Sequence, residues 1–379
     1  MKRLVCIVFI LQWLLTGLWA DDPGRVQPAQ DLVWKSGFVH LGAALWAGGG
    51  AGIANPDNPE ALLYNPAWRT EAKNLLIGGG LRRLGATLGY ATDTLGINNQ
   101  IVFPNYLLGV SRYGSWMFQA GYREFYNTRL HMDIPVSYND PQLSREVVSH
   151  YDDNSVYEFF IGANKAVKKH LSIGAQTGLV YQYISSKTDD KVDASGDGYG
   201  YAFTLGIDYQ PVEQAGLALT YRYVAPIDHE FTFSRPVYVN NKMVTRTMRF
   251  PWLLDGSLYF VPVKWLRINL KMEYQEWKKV MSKLDNCLQL ALGLNFYEGK
   301  RLSARTGYFT MGRYLNGGKN FEDVAFLTAG IDYRIHPNLV LTFSALTSHF
   351  FAGKDMAGQD QLDQTEILLG IRLTLPRKH

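Results

Sequence analysis

The residue types that most often carry out catalysis form no recognisable pattern in this 379-residue sequence. The eight histidines are scattered, and neither a His-Glu-x-x-His zinc motif nor a Gly-x-Ser-x-Gly nucleophile motif occurs. The glycine-rich run at 47–52 lacks the Lys-Ser/Thr pair that a phosphate-binding loop needs. The acidic stretch 189–198 departs from the ligand spacing of a calcium-binding EF-hand loop. We therefore expect no enzymatic activity, no metal site and no cofactor.

Basic side chains offer a different chemistry, the binding of an anion. Arg267 and Lys271 alternate with apolar neighbours, so they fall on the polar face of a predicted strand, and Arg305 and Arg372 occupy similar positions in later strands. A carboxylate could pair with one of these cations, which makes Arg267, Lys271 and Arg305 candidate carboxylate-binding residues. The alternative is a structural role, in which they pair with neighbours such as Glu273.

The first twenty residues have the features of a cleaved export signal. Lys2 and Arg3 precede an apolar run at 4–18, and Ala20 precedes two aspartates. The run is shorter than the ~20 residues that a helix needs to span a bilayer, so cleavage is favoured over an uncleaved membrane anchor. After cleavage Cys287 is the only cysteine, which excludes an internal disulfide.

The remaining sequence predicts strands that are long enough to cross a membrane. Aromatic residues make up 13% of the chain, glycine reaches 36 residues, and no basic block suggests a nucleic-acid partner. Most of the predicted strands exceed the ~5–6 residues of soluble sheets and alternate apolar with polar or small residues. Fourteen strands are predicted near 73–90, 100–112, 114–127, 155–167, 169–185, 198–210, 213–226, 250–262, 264–277, 285–297, 300–312, 322–335, 337–350 and 364–376.

The connections between these strands are alternately short and long. Short links are predicted at 113, 168, 211–212, 263, 298–299 and 336, and longer ones at 128–154, 186–197, 227–249, 313–321 and 351–363. Outer-membrane barrels have short periplasmic turns, longer external loops and an even strand number, whereas a secreted sandwich has no reason to keep this alternation. The predicted fold class is therefore all-β, a 14-stranded antiparallel transmembrane β-barrel formed by residues 73–379 and located in the outer membrane.

The segment 21–72 does not have the pattern of a membrane strand. Asn58 can cap a helix, Pro59 suits its first turn, and Glu60 favours its positive end. Pro66 disfavours helix at the residue before it. The sequence therefore predicts a short helix closed by an Asn-Pro turn, just before the first strand.

A family resemblance follows from these features taken together. An Ala/Gly-rich lead, a short helix ending in Tyr-Asn-Pro-Ala at 64–67 and a fourteen-strand barrel resemble the FadL superfamily of outer-membrane transporters. The related PorV-type proteins share this layout, and the resemblance extends over essentially the whole mature chain. It implies that residues 21–72 form an N-terminal hatch, or plug, inside the barrel. It also implies the uptake of long-chain fatty acids or other hydrophobic molecules.

In that family the ligand leaves sideways through an opening in the wall beside a kinked strand. The resemblance places Asn65, Pro66 and Ala67 in the hatch near that opening. Pro104, inside the second predicted strand, could supply the kink because proline removes a backbone donor from the sheet. The alternative is that Pro104 lies near a strand end, where proline is tolerated.

Three functions remain compatible with the sequence. The first is a transporter whose partners are a hydrophobic small molecule, such as a long-chain fatty acid, and the lipid of the outer membrane. The second is a non-transport barrel, either a PorV-like platform with a protein partner or a surface-exposed interaction protein. The third is a water-filled diffusion porin, which the hatch-like segment disfavours. The ligand, the direction of transport and the oligomeric state stay open.

Overall fold

A computed structural model describes most of the chain after residue 40. The described residues are 41–69, 75–90, 93–136, 146–188, 191–233, 244–280, 286–296, 301–311, 313–314, 324–348 and 361–375. The predicted signal peptide at 1–20 and the first part of the predicted hatch lie outside them.

Residues 41–69, which we call the lumen segment, contain three of the four short helices in the described part of the chain. An α-helix, α1, spans Ala43–Ala47, and 3-10 helices span Gly52–Ala54 (η1), Pro59–Leu63 (η2) and Trp277–Lys279 (η3). The predicted short helix is η2, and the side chain of Asn58 caps it by accepting a hydrogen bond from Glu60 N at 3.3 Å. No helix among the described residues is long and apolar enough to span a bilayer.

The rest of the described chain is almost entirely strand. The strands are β1 Leu75–Tyr90, β2 Asp93–Tyr113, β3 Trp116–Val136, β4 Glu146–Lys168, β5 Leu171–Thr188, β6 Lys191–Val212, β7 Ala215–Val224, β8 Ile227–Phe233, β9 Val244–Met248, β10 Leu253–Val263, β11 Leu266–Gln275, β12 Cys287–Phe296, β13 Leu302–Met311, β14 Arg313–Tyr314, β15 Val324–His336, β16 Leu339–Thr347 and β17 Gln361–Leu375.

These segments form one closed antiparallel barrel, because β1 pairs with both β2 and β17. Three of the segments are continuations of neighbouring strands. After a break at Pro226, β8 extends the line of β7 and pairs with β6, while β9 leads into β10 across Pro251. Past Met311, β14 extends β13 along β12. Fourteen strands therefore close the barrel, which confirms the predicted fold class.

Five of the six predicted tight turns are confirmed, although each is displaced by one or two residues, and the sixth, predicted at 298–299, lies outside the described residues. Each of the five leaves two residues between paired strand ends, which are Tyr113 and Trp116, Lys168 and Leu171, Val212 and Ala215, Val263 and Leu266, and His336 and Leu339. We call this side of the barrel the short-turn end and the opposite side the loop end.

Three of the predicted long loops are partly wrong, because several strands continue well past the membrane-like region. The predicted loops 313–321 and 351–363 lie mostly outside the described residues. β3 and β4 stay paired from Trp116–Lys165 to Val136–Glu146, so most of the predicted loop 128–154 is a hairpin. The predicted loops 186–197 and 227–249 likewise contain parts of β5, β6, β8 and β9. Polar runs at 152–154 and 186–191 hide the strands there, because hydrophobic alternation detects only a strand with one apolar face.

The apolar face of the barrel wall points outward. On β6, Leu205 and Ile207 are 44% and 41% exposed, while Thr204 and Asp208 on the opposite face are 1% exposed. The same pattern holds on β11, where the predicted apolar set lies outside and the polar set inside. Exposure of this much apolar surface to water would be unfavourable, so the outer face contacts lipid.

Aromatic residues lie at the two edges of the outward-facing apolar surface, which forms a band around the barrel. Tyr122, Tyr157, Tyr181 and Tyr199 form a row of neighbouring rings towards the loop end. On β6, Tyr199 and Tyr209 are both exposed and lie ten residues apart. At about 3.3 Å per residue and a strand tilt near 40°, this spacing gives a band about 25 Å tall, the height of the apolar band of membrane barrels.

Candidate functional site in the barrel lumen

The glycine-rich run of the lumen segment packs against bare backbone of the wall. A Cβ on Gly293 of β12 would overlap the carbonyl of Gly48, and a Cβ on Gly307 of β13 would overlap the nitrogen of Gly49. Gly49 and Gly50 have φ values of 68° and 72°, a region that glycine enters without strain. Because both sides of this contact are glycine, the run approaches the wall as closely as two strands approach each other.

The motif Asn65-Pro66-Ala67 is hydrogen-bonded to the wall on the other side of the lumen. Ala67 N donates to Asn65 Oδ1 at 2.9 Å, which closes a tight turn within the motif. Asn164 of β4 points into the lumen, and its Nδ2 lies 2.9 Å from Pro66 O and 2.7 Å from Trp68 O. One wall side chain therefore satisfies two buried carbonyls of an irregular segment.

Two further wall glycines make room for this motif. A Cβ on Gly174 of β5 would overlap the carbonyl of Pro66, and a Cβ on Gly206 of β6 would overlap Oδ1 of Asn65. The motif thus docks mainly on β4, β5 and β6. Its link to β3 is Gln119, whose Nε2 lies 3.4 Å from Pro66 O.

Glu60 ties the lumen segment together and to the wall. Its Oε2 accepts from Leu45 N at 3.1 Å, and its Oε1 accepts from the hydroxyl of Tyr106 on β2 at 2.8 Å. Burial raises the pKa of Glu60 above its usual value of 4.5, although the hydrogen bonds from Tyr106 and Leu45 and the charges of Arg305 and Arg372 act in the opposite direction. The protonated form is therefore favoured more in the folded protein than in an unfolded chain.

Two of the predicted carboxylate-binding cations join the lumen segment to the wall. Arg267 pairs with Asp57 at 2.7 Å, while Arg305 donates to Ala44 O and pairs with Asp332 of β15. These contacts correspond to the structural alternative for both arginines. Binding of a carboxylate at Arg267 or Arg305 stays a prediction, and a ligand would have to compete with these partners.

The third predicted cation, Lys271, is paired within the wall. Its Nζ lies 3.2 Å from a carboxylate oxygen of Asp255 and 2.5 Å from one of Glu273. The ammonium therefore already faces two carboxylates. Its binding to a ligand carboxylate also stays a prediction, which this geometry does not favour.

An apolar cluster occupies the lumen towards the loop end. It consists of inward-facing residues from one half of the wall together with residues that follow the strand ends. Its buried members, which we call the apolar lumen cluster, are Phe125, Tyr126, Val156, Val180, Ala202, Val224, Ile227, Phe250, Trp277 and Cys287. Unlike the two other apolar clusters among the described residues, this one contains no residue of the lumen segment.

Charged side chains lie directly beneath this cluster. The carboxylate of Glu158 lies 2.8 Å from Arg123 and 2.6 Å from Arg222. Arg123 also donates to Leu63 O of the lumen segment. The guanidinium of Arg222 lies 4.2 Å from the ring centroid of Phe125, a member of the cluster. Two arginines thus share one carboxylate at the boundary between the cluster and the lumen segment.

The wall beside the apolar lumen cluster is interrupted. In β2 and β3, both described over this region, the backbone pairs pass from Tyr106–Arg123 directly to Gly96–His131. The stretches 97–105 and 124–130 are therefore unpaired with each other. Pro104 lies in the first stretch, where the pairing of β2 with β1 also shifts register. That Pro104 causes this interruption stays a prediction.

Comparisons with known proteins agree with this geometry. No family model and no curated protein matches the sequence. The Ralstonia pickettii toluene transporter TbuX matches with a TM-score of 0.67 and 16% identity, over 89% of this chain and 98% of its own. The P. putida toluene transporter TodX and a Pseudomonas aeruginosa FadL homologue each match with a TM-score of 0.64 and 13% identity, over 89% of this chain and 99% of theirs. The chain has the FadL fold.

A FadL-fold barrel with an even strand number and an outer apolar band is an outer-membrane protein. Short turns of such barrels face the periplasm and long loops face the cell exterior. The apolar lumen cluster therefore lies on the extracellular side of the FadL-fold barrel, and the lumen segment lies between it and the periplasm.

Sequence analysis of this FadL-fold chain did not identify the Arg123–Glu158–Arg222 group. The three residues come from three strands, β3, β4 and β7, and they are separated in sequence by 35 and 64 residues. One signal was present in the sequence, because the alternation fails at Phe125 and Tyr126. Both side chains are buried, owing to a register shift between β3 and β4 at this point.

Proposed function

We propose that this barrel takes up hydrophobic small molecules across the outer membrane and releases them sideways through its wall. The observation that carries the proposal is the position of Phe125 and Tyr126. Both belong to the apolar lumen cluster, and both lie in the stretch 124–130 of β3 that is unpaired with β2. A hydrophobic ligand that replaces these contacts would lie beside the interruption and could pass through it towards lipid.

The lumen segment supports sideways release over passage straight through the barrel. Leu63 lies directly beneath the charged group, held by Arg123. Further towards the short-turn end, Pro66 and Trp68 are held by Asn164. In this proposal residues 41–69 act as the hatch, and the motif Asn65-Pro66-Ala67 fixes it to the wall below the interruption.

We propose long-chain fatty acids as the ligand class, because of Arg222. Its Nε has no hydrogen-bond partner among the described residues, and its guanidinium faces Phe125 of the apolar lumen cluster. A carboxylate at the end of an alkyl chain would satisfy this cation while the chain lies in the cluster. Toluene, the ligand named for TbuX and TodX, has no anionic group that could pair with Arg222.

Measuring the binding of oleate and of uncharged oleyl alcohol to the purified barrel distinguishes a fatty-acid site from a site for any hydrophobic molecule. Arg222→Gln should weaken oleate binding about tenfold or more, since hydrogen bonds to charged groups contribute ~1.5–3 kcal/mol. It should leave oleyl alcohol binding nearly unchanged. Glu158 keeps Arg123 as its partner in this variant, so no buried charge is left unpaired. Arg301→Gln, in an exposed turn, is the matched control.

Two outcomes would contradict parts of the proposal. Equal loss of both ligands in Arg222→Gln would remove the argument for fatty acids but leave hydrophobic uptake. Absence of saturable binding for oleate, oleyl alcohol and toluene would overturn uptake itself. A stable protein partner recovered from the native membrane would then favour the platform function.

A further inference from the structure

The lipid-facing surface carries a groove across β3 to β6. Its volume is about 490 Å³, and almost all of its lining is apolar. Its floor is formed by Ala163 and Ala175, which pair across β4 and β5 and both point outward. Larger outward side chains form its rims, and these are Phe118, Ile161 and Phe203. The groove is thus a built depression in the wall, where two small residues lie among large ones.

A cation lies at the periplasmic end of the groove. Lys165 follows Ala163 by two residues on the same outer face of β4, which places the two Cα atoms about 7 Å apart. The ammonium of Lys165 lies 5.1 Å from the ring centroid of Trp116, an exposed aromatic residue at the start of β3. Lys168 and Lys169 are also exposed, at the adjoining turn. Positive charge therefore adjoins the apolar groove on its periplasmic side.

We propose that this groove is a binding site for a glycerophospholipid of the periplasmic leaflet. One acyl chain lies over Ala163 and Ala175, and the phosphate contacts Lys165. The positions of the groove and the cation along β4 support this assignment. Because β4 runs towards the periplasm, the groove lies at acyl-chain depth and Lys165 lies at headgroup depth. Lysines near a membrane surface attract anionic headgroups, and an apolar groove inside the band excludes polar occupants.

A second copy of the chain is a less suitable occupant. In a twofold dimer both barrels have the same orientation in the membrane, and the same surface patch is used twice. The two Lys165 side chains would then approach each other at one depth, which is unfavourable for like charges in a medium of low dielectric constant. A phosphate has the opposite charge and avoids this repulsion.

The bound lipid would lie opposite the hatch contact across the wall. Asn164, between Ala163 and Lys165 in sequence, points inward and holds Pro66 and Trp68. A lipid that orders this part of β4 from outside would therefore also support the contact inside.

Native mass spectrometry of the purified full chain, with added dioleoyl phosphatidylglycerol, tests the site. The wild-type barrel should retain one lipid after gas-phase removal of detergent. Lys165→Gln should lower its occupancy about fivefold, which corresponds to ~1 kcal/mol for one lysine at an anionic surface. Ala175→Phe should remove the retained lipid, because the ring fills the groove from the outer face without entering the lumen.

Matched controls exist on the other side of the barrel. Lys264→Gln removes an exposed lysine beside the exposed Trp265, and Ala329→Phe enlarges an exposed outward alanine of β15. Neither should change lipid retention, and heat-modifiable migration in gels verifies that every variant is folded. Equal retention in all five proteins would overturn the proposal. A wild-type dimer that Ala175→Phe dissociates would also overturn it and would assign the groove to self-association.

Discussion

The side-chain amide of Asn164 lies 2.9 Å from the carbonyl oxygen of Pro66 and joins the barrel wall to the segment inside it. The same nitrogen lies 2.7 Å from the carbonyl oxygen of Trp68. Both carbonyls belong to an irregular stretch with no strand partner, and buried carbonyls of this kind require a donor. Docking of the lumen segment therefore depends on a few wall side chains rather than on a sheet.

Replacement of Asn164 by leucine should loosen the lumen segment without opening the barrel. Leucine has the same branching and the same number of side-chain heavy atoms but cannot donate, so two buried carbonyls lose a donor, and local stability should fall by about 1–3 kcal/mol. Hydrogen exchange of peptides covering 60–69 should show faster exchange, while peptides from β11 should not change. Ser344→Ala, which removes a buried hydroxyl without a partner among the described residues, should have little effect. Unchanged exchange at 60–69 would contradict this account.

The transmembrane part of the fold could be predicted because each strand carries its own signal. On β11 every second residue is apolar from Leu266 to Tyr274, and this alternation specifies both the strand and its lipid face. In the outer part of the β3–β4 hairpin only one arm carries this signal, because apolar residues alternate from Leu130 to Val136 on β3 whereas Asp152, Asp153 and Asn154 interrupt any alternation on β4. Its pairs near Val136 and Glu146 are held by backbone hydrogen bonds, which the side-chain pattern does not report.

The lumen could be predicted only in part, for a related reason. Alternation places Arg267 on the inner face correctly, but its partner Asp57 is 210 residues earlier and in an irregular segment. The apolar lumen cluster draws on β3 to β8, on β12 and on residues between strands, and each of these strands contributes one or two residues. Such a group exists only after closure of the barrel, so no local pattern in the sequence indicates it.

An alanine at Gly174 should displace the motif Asn65-Pro66-Ala67 from the wall. The added Cβ would overlap the carbonyl of Pro66, and the backbone of β5 cannot move without breaking its pairs to β4 and β6. Overpacking of this kind costs about 1–3 kcal/mol. Gly256→Ala is the matched control, since a Cβ there would meet nothing within 4 Å. Limited proteolysis within 41–69 should increase in the first variant and not in the second, and equal behaviour would refute the prediction.

Substitution of Pro104 by alanine tests the origin of the wall interruption. Alanine restores an N–H that can pair with β3, and one sheet hydrogen bond contributes about 1 kcal/mol, or roughly a fivefold change in the open fraction. Uptake of labelled fatty acid into proteoliposomes should fall accordingly, and backbone exchange in 97–105 should slow. Pro251→Ala, at the break between β9 and β10, should leave both measurements unchanged. A Pro104→Ala protein with wild-type exchange in 97–105 would mean that the proline does not cause the interruption.

Docking of the lumen segment should weaken as the pH rises, because of Glu60. Burial raises the pKa of this carboxyl above its usual value of 4.5, so the folded state binds the proton more tightly than an unfolded chain does. The stabilisation from this group is fully present below 4.5 and is lost as the pH rises through the raised pKa. Exchange at Leu45 N–H, which donates to Glu60, should therefore speed up over this window beyond its intrinsic pH dependence.

Glu60→Gln removes the titrating proton but keeps an oxygen that can accept from Leu45 N–H. This variant should lose the extra pH dependence and behave over the whole window much like the protonated wild type. Glu213→Gln, in the exposed turn after β6, changes a carboxyl that is remote from the lumen and should keep the wild-type profile. If exchange at Leu45 N–H depended on pH in Glu60→Gln as it does in the wild type, another group would have to control docking, because the amide cannot ionise.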